Sequence, residues 1–388
     1  MEDILSQGGG REPSQWPRRL AVIGVVLLVA VVSIVYFGLE HNRLSPAAAP
    51  SPTDSANAGE PGGVGGADLP WNGSLRLPVA GTQPAWYSPA TGRSAPIGGL
   101  PPDSAGYQFT RAPGGWVVRA GSGGELASGD AAVPSLPVWF LADGAESATR
   151  VGTANQVTPA ATVGAVWLTS YPATADPDTS VRMAREFSVD GVPMGAPVRL
   201  PAGYAIYQAT DRGLLLEPTS QQSGSQADKL WNPSDPEASR TFDAVIAASP
   251  TQIAWMPACA GMCRVQLLDL VTGRQTVVRL PAGGFAASAA FSPTGDLLAL
   301  QVMTDDGSET SVQLEVASVG SGRLTALPGT TISGDTVVDF GWPTSGDSLV
   351  SEFIFPATVQ LTAWHPGAPG LAEAVVRSGQ EQASLVVG

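Results

Sequence analysis

From about residue 70 onward, two short units alternate along the chain. The first is a turn followed by an apolar strand. Its clearest copy is Phe291-Ser292-Pro293-Thr294-Gly295-Asp296-Leu297-Leu298-Ala299-Leu300. Weaker copies are APGGWVVRA at 112, TPAATVGAVWLTSY at 158, ATDRGLLLEP at 209, ASPTQIAWMPA at 248 and WPTSGDSLVSEF at 342. The second unit is a strand, a Gly-containing turn and another strand, clearest in LLDLVTGRQTVVRLP at 267. Its Gly turns fall at 92, 144, 191, 273, 322 and 370, and a degenerate copy, LWNPSDPEASRTF at 230, fills the widest gap. The mean spacing is roughly 46 residues, within the range of propeller blades. Short strands punctuated by Gly, Pro, Asp and Ser read as all-β. A unit of this size cannot bury both of its faces alone, so copies must stack on one another.

One repeat supplies four strands, which is one blade. Six full repeats lie between about residues 100 and 376. The hairpin at 86 comes without inner strands, and the C-terminal ASLVVG at 383 reads as a strand without a hairpin after it. Pairing the two ends makes a seventh blade, with residues 383–388 joining the sheet of residues 84–97. Residues 71–388 are therefore expected to form an all-β seven-bladed β-propeller, with six or eight blades as alternative counts. Two β-sandwiches in tandem are the competing fold, but sandwich strands rarely keep one period and one turn chemistry.

FSPTGDLLAL resembles the turn-and-strand repeat of TolB-like and WD-repeat-like β-propellers, and LLDLVTGRQTVV resembles the strand that follows it there. The likeness is strongest at 285–327 and in the hairpin at 267. Thr294 stands where that pattern often has Asp, and no Trp-Asp pair occurs. With one Lys, Lys229, against nineteen Arg, and abundant Ala, Gly and Pro, the layout is similar to membrane-tethered propellers of actinobacteria. The resemblance implies a binding or scaffolding role without naming a ligand.

The N-terminal part reads differently. Residues 20–39, LAVIGVVLLVAVVSIVYFGL, are uncharged and hold one Ser. Twenty residues at ~1.5 Å each span ~30 Å, the hydrocarbon thickness of a bilayer. Arg11, Arg18 and Arg19 precede the run, whereas Glu40 follows it and the next basic residue is Arg43. The positive-inside bias puts residues 1–19 in the cytoplasm as a short tail and the rest outside. A cleaved signal peptide is the competing reading. Its apolar region is shorter, and the only small-residue site, Ala47-Ala48-Ala49, lies well beyond the run. No Cys follows, which excludes a lipoprotein anchor. Residues 40–70 are rich in Pro, Ala, Gly and Ser without apolar periodicity, so they read as a disordered tether.

Charge and chemistry narrow the function. The net charge is −14 and only 14% of residues are charged, so nucleic acid is excluded as a partner, since duplex affinity draws on many phosphate contacts. Two Cys and two His exclude a multi-Cys zinc site, and no metal or cofactor is expected. Outside the membrane, Cys259 and Cys263 are expected to pair as a clip on one turn. His365, in Trp364-His365-Pro366, reads as an exposed turn residue, and no G-x-S-x-G elbow offers it a serine. DLVTGR resembles a quinoprotein turn, but the docking tryptophan of those propellers is missing after it. The tryptophans read as packing between sheets.

One pattern points to binding. The connections between second and third strands are expected on one face of the ring, and they are acidic: Glu125 and Asp130; Asp176 and Asp178; Asp228; Asp305, Asp306 and Glu309. They suit a basic partner or a divalent cation, although no complete calcium loop is present. Ordinary solvated loops would look the same. The sequence is therefore read as a non-enzymatic extracytoplasmic binding or scaffold protein, contacting the bilayer through residues 20–39 and an unidentified extracytoplasmic protein or envelope ligand through the outer domain. A hydrolase or lyase using carboxylates in the central channel, and a membrane sensor, are the alternatives.

Overall fold

The computed structural model describes residues 71–102, 106–121, 134–171, 181–219, 227–259, 262–305, 310–333, 337–343, 348–354, 358–377 and 386. The tail, membrane segment and linker expected over residues 1–70 lie outside them.

Seven antiparallel sheets follow one another along the described chain. Blade 1 holds β1 (Leu77–Val79), β2 (Ala85–Ser88) and β3 (Arg93–Pro96). Blade 2 holds β4 (Tyr107–Ala112), β5 (Gly115–Ala120), β6 (Leu136–Ala142) and β7 (Thr149–Ala154). Blade 3 holds β8 (Gln156–Pro159), β9 (Ala165–Ser170), β10 (Met183–Ser188) and β11 (Val198–Arg199). Blade 4 holds β12 (Tyr204–Thr210), β13 (Gly213–Pro218), β14 (Asp228–Asn232) and β15 (Asp235–Phe242). Blade 5 holds β16 (Val245–Ser249), β17 (Gln252–Trp255), β18 (Arg264–Asp269) and β19 (Gln275–Arg279). Blade 6 holds β20 (Gly284–Phe291), β21 (Leu297–Asp305), β22 (Thr310–Ser318), β23 (Leu324–Ala326) and a short extra strand, β24 (Ile332–Ser333), which pairs with β22. Blade 7 holds β25 (Val337–Gly341), β26 (Leu349–Ile354), β27 (Thr358–Trp364) and β28 (Ala372–Arg377). No helix occurs among the described residues.

Each sequence unit finds its place in a blade. The turn-and-apolar-strand unit supplies the second strand, which is buried on both faces and so reads as a continuous apolar run: GWVVRA in β5, GLLLEP in β13, LVSEFI in β26. Outermost strands meet water and are polar; all four residues of β3 are exposed. In two of the hairpins between third and fourth strands the Gly has two reasons to be Gly. Gly191 and Gly322 sit at φ +78° and +69°, and a Cβ on either would press into a backbone carbonyl of the preceding blade, at Val151 and Val277.

Seven apolar clusters fill the seven gaps between neighbouring sheets. The decisive one joins last to first: Val350, Leu361, Ala363 and Ala372 of blade 7 pack on Leu75 and Leu77 of blade 1. The ring is closed, and the described chain is a seven-bladed β-propeller rather than two sandwiches. The chain ends meet as expected at one point. The Val386 N–H donates to the Pro78 carbonyl at 2.9 Å, and Val386 packs on the cluster of Trp86, Ile97, Tyr107 and Phe109. One expectation needs correcting. The hairpin at 86 does not lack both inner strands, because β1 pairs with β2, and the C-terminus reaches the far side of β1 through Val386.

Candidate functional site

The alternation of direction within each blade sends the second-to-third connections and the blade-to-blade connections to one end of the ring. The other two sets of connections go to the opposite end. Glu125 and Asp130 fall in the β5–β6 connection, Asp176 and Asp178 in β9–β10, and Asp306 and Glu309 in β21–β22; all six lie outside the described residues. Asp305 ends β21. Asp228 departs from the expectation of a loop residue. It opens β14, half-buried, and its Oδ2 accepts the Val245 N–H at 2.8 Å, so it fastens the start of blade 5 to blade 4.

Cys259 and Cys263 form a disulfide in the β17–β18 connection, a second-to-third connection of blade 5. Cys263 packs against the cluster between blades 5 and 6, while Cys259 is exposed. A Ser pair at these positions is expected to cost about 2 kcal/mol, the value for so short a loop. Calorimetry of the double variant checks this; a loss above ~5 kcal/mol would mean that the clip holds more than its own turn.

Asp269, in the quinoprotein-like turn, has a structural task. Its Oδ1 accepts the Val271 and Thr272 N–H groups at 2.9 Å each, and the Thr272 bond foremost holds its carboxyl below the usual range. His365 is not fully exposed. It is half-buried, and its Nδ1 lies 3.0 Å from the Ser348 Oγ. This joins the end of one connection to the start of another, and no carboxylate orients the ring among the described residues. The tryptophans pack as expected: Trp86, Trp116, Trp139, Trp231, Trp255 and Trp342 are all buried.

The second strands carry what the sequence reading missed. Arg119 in β5, Glu217 in β13 and Glu352 in β26 each interrupt an apolar run late in the strand. Each lies two residues after one that packs on the following blade: Val117 on blade 3, Leu215 on blade 5, Val350 on blade 1. They are equivalent positions of the repeat, near the end of the channel that holds the second-to-third connections. The same position in blade 3 is Thr169 and in blade 6 is Gln301. Aligning the repeats strand by strand would have revealed this polar belt, because single charges in the separate strands look like surface residues.

The belt has two parts. In blade 7, Glu352 stands directly across from Asp339 of the innermost strand β25, so both side chains share one face of the sheet. Glu352 is only 4% exposed. Burial, and then the Asp339 charge, push its carboxyl up to about 7. Asp339 reaches water but is hemmed in by the channel wall; that crowding raises its carboxyl, against the Phe340 N–H bond to its Oδ1. The pair can hold one proton between two carboxylates. Glu352 is sealed from any substrate.

The other part spans blades 2 to 4. Arg182 is buried with its guanidinium 5.1 Å over the Tyr171 ring, and its charge favours ionised Glu217. Glu217 is nonetheless raised, first by burial and then by Asp228, which continues the β13–β14 register opposite it. Tyr207 on β12 is raised by burial and by both carboxylates. Arg119 lies on the other side, close enough to feel Tyr171.

No family model matches the sequence, and no curated protein does. Solved structures share the fold at a distance. Prolyl oligopeptidase B from Galerina marginata is 10% identical with a TM-score of 0.49, over 79% of this chain and 48% of that one. The chain thus spans about half the length of that enzyme. The propeller domain of the Trilobed protease from Pyrococcus furiosus, which has an open velcro topology, is 8% identical with a TM-score of 0.44, over 71% and 84% of the two chains. A propeller domain from Myceliophteria thermophila is 12% identical with a TM-score of 0.39, over 72% and 90%. At these scores the likenesses add nothing to the argument, and the seven sheets with their seven clusters carry the fold.

Proposed function

We propose that this chain is a non-enzymatic extracytoplasmic binding or scaffold protein, tethered to the cell membrane by residues 20–39 and presenting one end of its propeller to a basic partner. One observation supports the reading: the two ends of the ring differ in charge. The connections at the end that holds the β5–β6 and β9–β10 loops carry Asp103, Glu125, Asp130, Asp176, Asp178, Asp243, Asp306, Glu309, Asp335 and Glu381. Their only basic residue is Arg182, which is buried. The opposite end mixes Asp143, Glu146, Asp190, Asp211, Asp296 and Asp347 with Arg212, Arg274 and Arg323. A single-sign field steers an oppositely charged partner. Exposed apolar side chains stand within the acidic end, among them Met262 at 81% exposure, Phe285 and Ile354, and these supply contact area once a partner has arrived. The opposite end also exposes apolar groups, such as Val163, so charge is the feature that distinguishes the two.

The tether is tested by mass spectrometry of membrane fractions, joined to protease treatment of intact cells. The expected result is an intact N-terminus through residue 39 and a propeller digested from outside. A mature chain starting near residue 50, or a propeller protected inside the cell, contradicts the reading.

A further inference from the structure

Arg119 is a belt cation whose charge is left without a counterpart among the described residues. Its Nε is sealed from solvent and has no hydrogen-bond partner. Among the described residues no hydrogen bond or ion pair reaches any part of its guanidinium. Neighbouring arginines are committed elsewhere: Arg111 grips Asp143 through both of its terminal nitrogens, and Arg182 lies on Tyr171. A desolvated cation without an anion is costly, and an acidic protein has carboxylates to spare. Yet the belt carboxylates turn elsewhere: Glu217 shares the strand face that meets blade 5, and Glu352 the face that meets blade 1.

We propose that the channel wall between blades 2 and 3 is an oxyanion subsite, in which Arg119 takes the carboxylate or phosphate group of a ligand. Two neighbours fit this role. Gln108, on the innermost strand, is directly opposite Arg119 and exposed, so its amide offers a second donor on the same face. Tyr171 lies close by, with Arg182 stacked on its ring, which adds positive field without an exposed second cation. A guanidinium fork matches the two oxygens of such a group. Burial lowers the proton affinity of Arg119, the direction expected for a cation held short of water, but it stays charged at any ordinary pH. The net charge of −14 repels free polyanions at a distance, so the subsite favours an oxyanion carried on a neutral or zwitterionic ligand. The inference goes beyond the binding role proposed above and does not depend on the tether or on the acidic connections.

The test is calorimetric titration of the full chain in detergent with three probes: alanyl-alanine, its C-terminal amide, and inorganic phosphate. Saturable binding of the dipeptide assigns the site to carboxylates, and binding of phosphate assigns it to phosphates; either supports the subsite. The amide should not bind. Arg119→Gln should weaken binding at least tenfold, Arg119→Lys should fall between, and Arg93→Gln, on an exposed outer strand, should change nothing. If Arg119→Gln fails to fold, Arg119→Lys carries the comparison. No saturable binding of either oxyanion, or undiminished binding by the Arg119 variants, overturns the proposal.

Discussion

A chain ending at Gln382 should melt about 6 °C below the full-length protein, with the whole propeller moving together. Removing residues 383–388 takes away Val386 and its bond to the Pro78 carbonyl, and it uncovers part of the cluster around Trp86 and Tyr107. Burying one valine is worth ~1.5–2 kcal/mol, each lost hydrogen bond ~1 kcal/mol, and the bared edge of β1 adds to both. The sum is roughly 4 kcal/mol, and a domain of this size, at ~2.1 cal/mol/K of unfolding entropy per residue, loses ~1.5 °C per kcal/mol. Because the loss falls on β1 and on the cluster that joins blade 1 to blade 2, it should not be confined to a frayed end. Differential scanning calorimetry reads it directly. A truncated chain that melts with the full-length protein would remove the C-terminus from blade 1.

Replacing Glu352 by Gln should stabilise the propeller by up to ~3 kcal/mol above pH 7 and leave it unchanged below about pH 4.5. Folding lifts this carboxyl from 4.5 to about 7, so the folded state keeps a proton that the unfolded chain releases. The stability this proton confers is fully present below the unfolded value, drains away as pH rises toward about 7, and is absent above it. Each tenfold change in proton affinity is worth ~1.4 kcal/mol, which sets the size of the gain. Gln has the shape and neutrality of the protonated acid, so the variant should flatten the pH curve rather than shift it. Glu186, Glu217, Asp228, Glu315 and Asp339 are raised by burial as well, and Asp269 alone is lowered. The wild-type propeller should therefore be more stable near pH 5 than near pH 8. Denaturant titrations across that range check both statements; a stability that rises with pH, or an unchanged slope in the variant, contradicts them.

The blade count was legible because one unit recurs with its turn glycines, and at Gly191 and Gly322 a Cβ would press into the preceding blade. Six complete sheets fall where the repeats place them. β1 was not legible: three residues, Leu77, Pro78 and Val79, carry no periodicity, and the pairing that makes them a strand comes from β2 and the distant C-terminus. β24 escaped for the same reason. Asp228 looked like a loop residue because polar residues precede it, whereas the Val245 N–H draws it into a strand start. The polar belt was hidden because Arg119, Glu217 and Glu352 each look ordinary alone. Only the packing of Val117, Leu215 and Val350 on the following blades shows that the three positions are one.

The central claim is a ring closed by its own two ends, and the amide of Val386 reports on it most directly. Hydrogen–deuterium exchange resolved at that residue should find it protected to the same order as the amides of β1 and β2, because its N–H is spent on the Pro78 carbonyl of β1. Exchange at the rate of an unstructured terminus, with β1 and β2 still protected, would contradict the closure.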